Sequence, residues 1–257
     1  MSIRWGKKVT KVSQLDEAVS AGFDWVQLPL ALITEAADKE FPQRKKQLLR
    51  SGIKFDVCSV DLPQDVRVTQ KGFNTYIWLE YLKKAIQRIT DLGCRTLSWS
   101  DGRARLLPVE GDIMGAKEQV LQFLFMLGEI AVNYGITILV EPLSPLRTNF
   151  LNSMEEIEEF LEPLGKENIM SMISTRELPE DFFSKEKLDR YKTLISLIRF
   201  EKPHVLEGTR RCPEKTDGYD YSVFVNALHG INYNGPVLLS EDAGKDGLMY
   251  CKALWGY

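Results

Sequence analysis

Histidine is almost missing from this chain: His204 and His229 are the two present in 257 residues. A multi-metal hydrolytic centre built from several imidazoles therefore lacks its ligands. Cysteine is scarce as well. Cys58, Cys94, Cys212 and Cys251 lie far apart with no Cys-x-x-Cys pair. That spacing argues against a zinc ribbon or a disulfide-built secreted scaffold and points to a reducing cytoplasm. There is no basic excess: 33 Lys and Arg stand against 36 Asp and Glu, a net charge of −3. A surface that tracks nucleic-acid phosphates is not expected. No apolar run approaches the ~18 residues of a membrane span, and "MSIRWGKKVTKV" lacks the apolar core of a signal peptide. Neither a Gly-x-Gly-x-x-Gly after the first strand nor a Gly-x-x-x-x-Gly-Lys loop occurs, which removes the usual dinucleotide and nucleotide cradles.

What is present is a regular alternation. Short β-rich runs occur at 24–30, 53–60, 94–100, 136–143, 168–175, 203–208 and 235–242. Amphipathic helical stretches separate them at 13–22, 44–52, 75–93, 116–135, 153–165, 184–198 and 221–232. In the stretch at 116–135, Val120, Phe123, Leu124, Leu127, Ile130 and Ala131 keep the helical period. Gly22, Gly52, Gly93 and Gly135 supply stop signals, and Ser153 an N-cap. Strands that alternate with helices imply parallel pairing through right-handed crossovers. The α/β pattern, in a chain of this length with no linker, is read as a single (β/α)8 TIM barrel spanning 1–257.

Barrel enzymes carry their chemistry at the C-terminal strand ends. "ILVEPL" finishes an apolar strand on Glu141, and "VLLSED" finishes another on Glu241. The fourth strand leads to Ser100, Asp101, Arg103 and Arg105, the sixth to Ser174, Arg176 and Glu177, and the seventh to His204, Glu207, Arg210 and Arg211. Two carboxylates and one imidazole on separate strands suit a divalent Mn, Mg, Co or Zn ion that could polarise a carbonyl. Each residue also has a plain structural reading. His204 could be a strand histidine, Glu207 could pair with Arg210, and Arg103 and Arg105 could be surface charges rather than an anion clamp.

The ordered strand ends resemble the xylose-isomerase-like barrel family of sugar and sugar-phosphate isomerases and epimerases, in its ketose 3-epimerase branch. "EAVSAGFDWVQL", "DGRARLLP", "ILVEPLSPLRTNFLNS", "HVLEGTRRCP" and "LHGINYNGPVLLSED" carry the resemblance. It implies metal ligands at Glu141, His204 and Glu241. It implies that Glu141 and Glu241 are catalytic acid/bases passing a proton through an enediolate. It also implies a substrate contact at Arg210; Glu207, Arg103 and Arg147, near the same strand ends, are further substrate-binding candidates. The chain departs from the pattern in places. Ser174 and Glu177 stand where the family has a metal-binding Asp and a substrate-binding His, and Arg147 stands where the epimerase branch has a Glu. The expected function is a sugar or sugar-phosphate isomerase/epimerase with a weakened divalent metal site. The alternative is a metal-free barrel that binds an anionic sugar derivative without isomerase activity. The expected partner is a small sugar or sugar phosphate. Aromatic residues in "LMYCKALWGY" leave room for a homodimer contact.

Overall fold

The computed structural model describes residues 3–60, 62–203 and 210–256. Eight strands, β1 (Arg4–Lys8), β2 (Trp25–Pro29), β3 (Lys54–Ser59), β4 (Thr96–Trp99), β5 (Thr137–Val140), β6 (Ile169–Ser174), β7 (Ile195–Arg199) and β8 (Pro236–Leu239), pair in chain order, and β8 closes on β1. Every pairing is parallel. The α-helices are α1 (Gln14–Ala21), α2 (Ala31–Thr34), α3 (Phe41–Leu49), α4 (Thr75–Asp91), α5 (Ile113–Val132), α6 (Met154–Leu161), α7 (Lys185–Tyr191), α8 (Ser222–Gly230) and α9 (Lys245–Leu254). Side-chain oxygens of Asn74, Asp112, Ser153 and Ser184 accept from backbone N–H groups at the starts of α4, α5, α6 and α7. Among the described residues no helix is long and apolar enough to cross a membrane.

Strand alternation determines what fills the barrel. Residues two apart share a face. Trp25, Val57, Leu139, Met172, Leu197 and Leu238 form one apolar cluster. Two residues further along β5, β6 and β7 come Glu141, Ser174 and Arg199, all buried. The barrel is thus apolar at mid-height and polar at its C-terminal mouth. In the same layer Gln27 Nε2 donates to Ser98 Oγ at 2.8 Å. Gly6 makes room for the largest plug residue: a Cβ at this position would lie 2.3 Å from the Trp25 ring.

Two elements differ from the sequence reading. β1, "RWGKK", carries too much charge to look like a strand. Its Lys7 is buried and donates to Glu17 of α1 at 2.9 Å, while Trp5 packs edge-on against Trp255 at 5.1 Å. The stretch at 184–198 is not one helix. α7 ends at Tyr191, and "ISLIR" is the seventh strand, paired with β6 and β8. The "PHVLEG" run expected as that strand therefore follows it, and all of it beyond Pro203 lies outside the described residues. The aromatic C-terminal segment is also less exposed than expected: Trp255 is buried against Trp5 and Phe200. The four cysteines, distant in sequence, meet as two separate pairs of thiols, Cys58 with Cys94 and Cys212 with Cys251. Cys94 hydrogen bonding, with burial, pushes Cys58 up, and burial together with Cys212 does the same for Cys251.

Gly6→Ala should lower stability by about 1–3 kcal/mol, because the new methyl must displace a packed indole. Urea unfolding followed by circular dichroism measures this, and an unchanged midpoint would show that Trp25 has room to move.

Candidate functional site

Three carboxylates converge at the mouth from three consecutive strands. Glu141 follows β5, Glu177 lies in the turn after β6, and Glu201 follows β7. All three are buried. Arg210 joins them. Its Nη1 meets Glu201 Oε2 at 2.5 Å, while its Nη2 meets Glu177 Oε1 at 3.1 Å and Glu141 Oε2 at 3.5 Å. Arg199 Nη1 lies 3.4 Å from the same Glu141 oxygen. Arg105 Nη2 donates to the Glu141 backbone carbonyl at 2.5 Å. Arg147 stands 3.5 Å from Glu177 Oε1.

Short hydrogen bonds hold the carboxylates in place. The Ser174 hydroxyl donates to Glu201 Oε2 at 3.1 Å, and the Ser144 N–H donates to Glu177 Oε2 at 3.1 Å. Thr175 Oγ1 donates to the Glu201 carbonyl at 2.6 Å and accepts from its N–H at 2.9 Å. Ser174 thus orients an acid from the neighbouring strand.

Burial pushes the Glu141 carboxyl up, but Arg199, Arg210, Ser100 and Arg147 outweigh it and hold the group below its ordinary value. Burial also works against the Arg210 charge, yet Glu141, Glu201 and Glu177 raise its proton affinity above that of a free guanidinium. Arg105 and Arg199 shift the other way, mainly through burial, and Arg105 falls to about 10. Several buried polar atoms here lack a protein hydrogen-bond partner: Arg105 Nε and Nη1, and Arg199 Nε. Buried polar atoms in this number call for waters or a polar ligand.

The sequence candidates separate. Glu141, Arg147 and Arg210 come together, joined by Glu177. Glu241 sits apart, its Oε1 accepting from Thr10 Oγ1 and from Gln14 Nε2 at 2.8 Å, and the Thr10 bond is the main reason its carboxyl is depressed. Arg103 turns away from the mouth. It donates to the Pro63 and Leu62 carbonyls at 2.9 and 3.0 Å, contacts the Gln64 carbonyl and pairs with Asp101 at 2.8 Å. Its guanidinium ties together the loops after β3 and β4. His204 and Glu207 lie outside the described residues. Sequence reasoning missed Arg199 and Glu201 because the seventh strand was placed too late. The alternation Ile195, Leu197, Arg199, Glu201 in "ISLIRFE" was the signal.

A divalent ion does not fit the described donors. Glu141 is engaged by two guanidinium groups, Ser174 offers only a hydroxyl already bonded to Glu201, and Glu241 faces Thr10 and Gln14. Among the described residues no group of three His, Cys, Asp or Glu side chains has the geometry to hold a metal.

Glu141 should also leave a mark on acid stability. Its ordinary value is 4.5 and its folded value lies lower. The stabilisation it contributes is therefore complete above pH 4.5 and is lost as pH falls through the depressed folded value. Glu141→Gln should cost about 3–5 kcal/mol near neutrality, since it strips buried arginines of their partner. It should also flatten the acid limb. Thermal melts between pH 3 and 7 test both, and parallel acid limbs for the two proteins would refute the assignment.

Residues 15–248 match the family model described as a xylose isomerase-like TIM barrel. The D-psicose 3-epimerase of Agrobacterium fabrum is 23% identical over 252 residues, covering 93% of this chain and 79% of that protein. A crystal structure of an E. coli 3-keto-D-glucoside 4-epimerase superposes with a TM-score of 0.76 at 15% identity, over 98% of this chain and 100% of that one. The D-allulose 3-epimerase of Methylomonas sp., crystallised with D-allulose, gives 0.72 at 18% identity, over 99% and 90%. With a family match over nearly the whole length and a closed eight-strand parallel barrel, the chain belongs to the xylose isomerase-like TIM barrel family.

Proposed function

We propose that this barrel is a sugar-recognising protein of the isomerase/epimerase class whose mouth takes an anionic monosaccharide derivative, a sugar phosphate or sugar acid. One observation carries the reading. At the mouth, Arg105, Arg147, Arg176, Arg199 and Arg210 outnumber Glu141, Glu177 and Glu201. Neutralising this excess in a largely water-excluded place favours a bound anion, and guanidinium forks match carboxylate and phosphate geometry. Supporting the sugar as the rest of the ligand are the family membership and the epimerases that the chain resembles.

A second reading concerns chemistry. Glu141 Oε2 takes both arginines, which leaves Oε1 clear of them. Held ionised, Glu141 can accept a substrate hydroxyl proton through Oε1 or remove a proton from a carbon next to a carbonyl. Arg199 and Arg210 would steady the negative charge that develops on the neighbouring oxygen. In this reading Glu141 works as a single base, and Glu241 belongs to the other side of the mouth with Thr10 and Gln14.

A thermal-shift and calorimetric panel of sugar phosphates, sugar acids and neutral ketoses separates these readings. Anionic sugars should bind, with affinity falling as salt rises, and Arg147→Gln should weaken them about tenfold, the effect of ~1.4 kcal/mol. Preferential binding of neutral ketoses would refute the anionic reading. Turnover of any panel member should vanish in Glu141→Gln and persist in Glu241→Gln. Loss in Glu241→Gln instead would restore a two-carboxylate mechanism.

A further inference from the structure

We infer that Arg210 is the resident cation of this barrel, so that ligand binding at the mouth needs no divalent metal. The geometry is a cation cage with its cation supplied by the chain. Glu141, Glu177 and Glu201 are all buried, and each places an oxygen within 3.5 Å of one Arg210 nitrogen. Three buried carboxylates this close would repel one another strongly without a positive centre. A guanidinium supplies it with two separate nitrogens: Nη1 meets Glu201, and Nη2 meets Glu177 and Glu141.

The surrounding residues agree. The Ser174 hydroxyl spends its proton on Glu201 Oε2, the oxygen that also meets Arg210. That arrangement strengthens a carboxylate–guanidinium contact. Arg199 adds a second positive charge against Glu141, so in the wild type this acid is already paired with two guanidinium groups. The backbone also fastens Arg210: the Lys202 N–H donates to the Arg211 carbonyl at 2.9 Å, and the Cys212 N–H donates to Asp242 Oδ1 at 2.9 Å. The chain is therefore fastened just after Arg210, at Arg211 and Cys212.

The inference shares its mouth with the anionic-sugar reading but is tested without any sugar, so the two can fail separately. Mn²⁺ is titrated into the full-length wild type and into Arg210→Ala, Arg210→Gln and Arg210→Lys, with free Mn²⁺ read by electron paramagnetic resonance and thermal melts run with and without the ion. Wild type and Arg210→Lys should take up no stoichiometric Mn²⁺ at 1 mM of the ion (~1 mM is the weak end of specific affinities). Their melting temperatures should not move. Arg210→Ala and Arg210→Gln should bind one Mn²⁺ and melt higher in its presence, and adding Glu141→Gln should abolish this gain. Stoichiometric Mn²⁺ binding by the wild type would overturn the inference. So would folded Ala and Gln variants that ignore the ion, since the acids would then not form a cation cage. Variants that remain unfolded even with Mn²⁺ would also overturn it, because the ion should replace the missing charge.

Discussion

The mouth of this barrel depends on one buried guanidinium. Arg210 contacts carboxylates that follow β5, β6 and β7, and without it three acids would share a space that water barely reaches. Taking so many charges out of water costs several kcal/mol per ion, and attraction offsets this only when geometry and hydrogen bonding are both good. The conditions are met in part: Ser174, Ser144 and Thr175 fasten the acids or their backbone, while the Glu141 pairs are long at 3.4 and 3.5 Å and Arg199 Nε has no protein partner. The network is better seen as a device that fixes three strand ends relative to each other than as a source of net stability.

The apolar layer beneath makes that device possible. Trp25, Leu139, Met172, Leu197 and Leu238 close the barrel at mid-height. They lower the local dielectric under the charged layer, which strengthens each pair above it and raises the cost of any atom left unpaired. Arg105 shows the balance: burial draws its proton affinity down to about 10 even though Glu141, Asp101 and Glu177 favour its charge. Its unpartnered Nε and Nη1 are the expense of that burial, and they mark where polar ligand or solvent atoms are needed.

Much of this architecture was legible in the sequence because barrel strands are short apolar runs between amphipathic helices. Glu141 stood out as a carboxylate closing such a run. β1 was hidden because Lys7 and Lys8 look like surface residues, and only its pairing with Glu17 shows how Lys7 can be buried. Arg199 and Glu201 were hidden differently. No glycine or proline separates α7 from β7, so helix and strand read as one element, and the strand-end search began a few residues too late. Side-chain direction was not legible at all. Arg103 and Arg105 are two residues apart, yet one binds backbone carbonyls of the neighbouring loop and the other donates to the Glu141 backbone carbonyl.

The changes at Ser174, Glu177 and Arg147 make physical sense together. An alcohol after β6 removes one negative charge from the centre of the mouth. A carboxylate three residues later restores it further out, where the Ser144 N–H, Arg147 and Arg210 all reach it. In this chain the acid of the β6 turn lies beyond the strand end, and its charged partners are guanidinium groups. A guanidinium differs from a metal ion in a way that bears on recognition. It cannot add or lose ligands, and its remaining donors point in fixed directions within one plane. A site organised by such a group selects planar or tetrahedral oxyanions presented at a set angle, and near neutrality it does so at constant charge, since a guanidinium keeps its proton there.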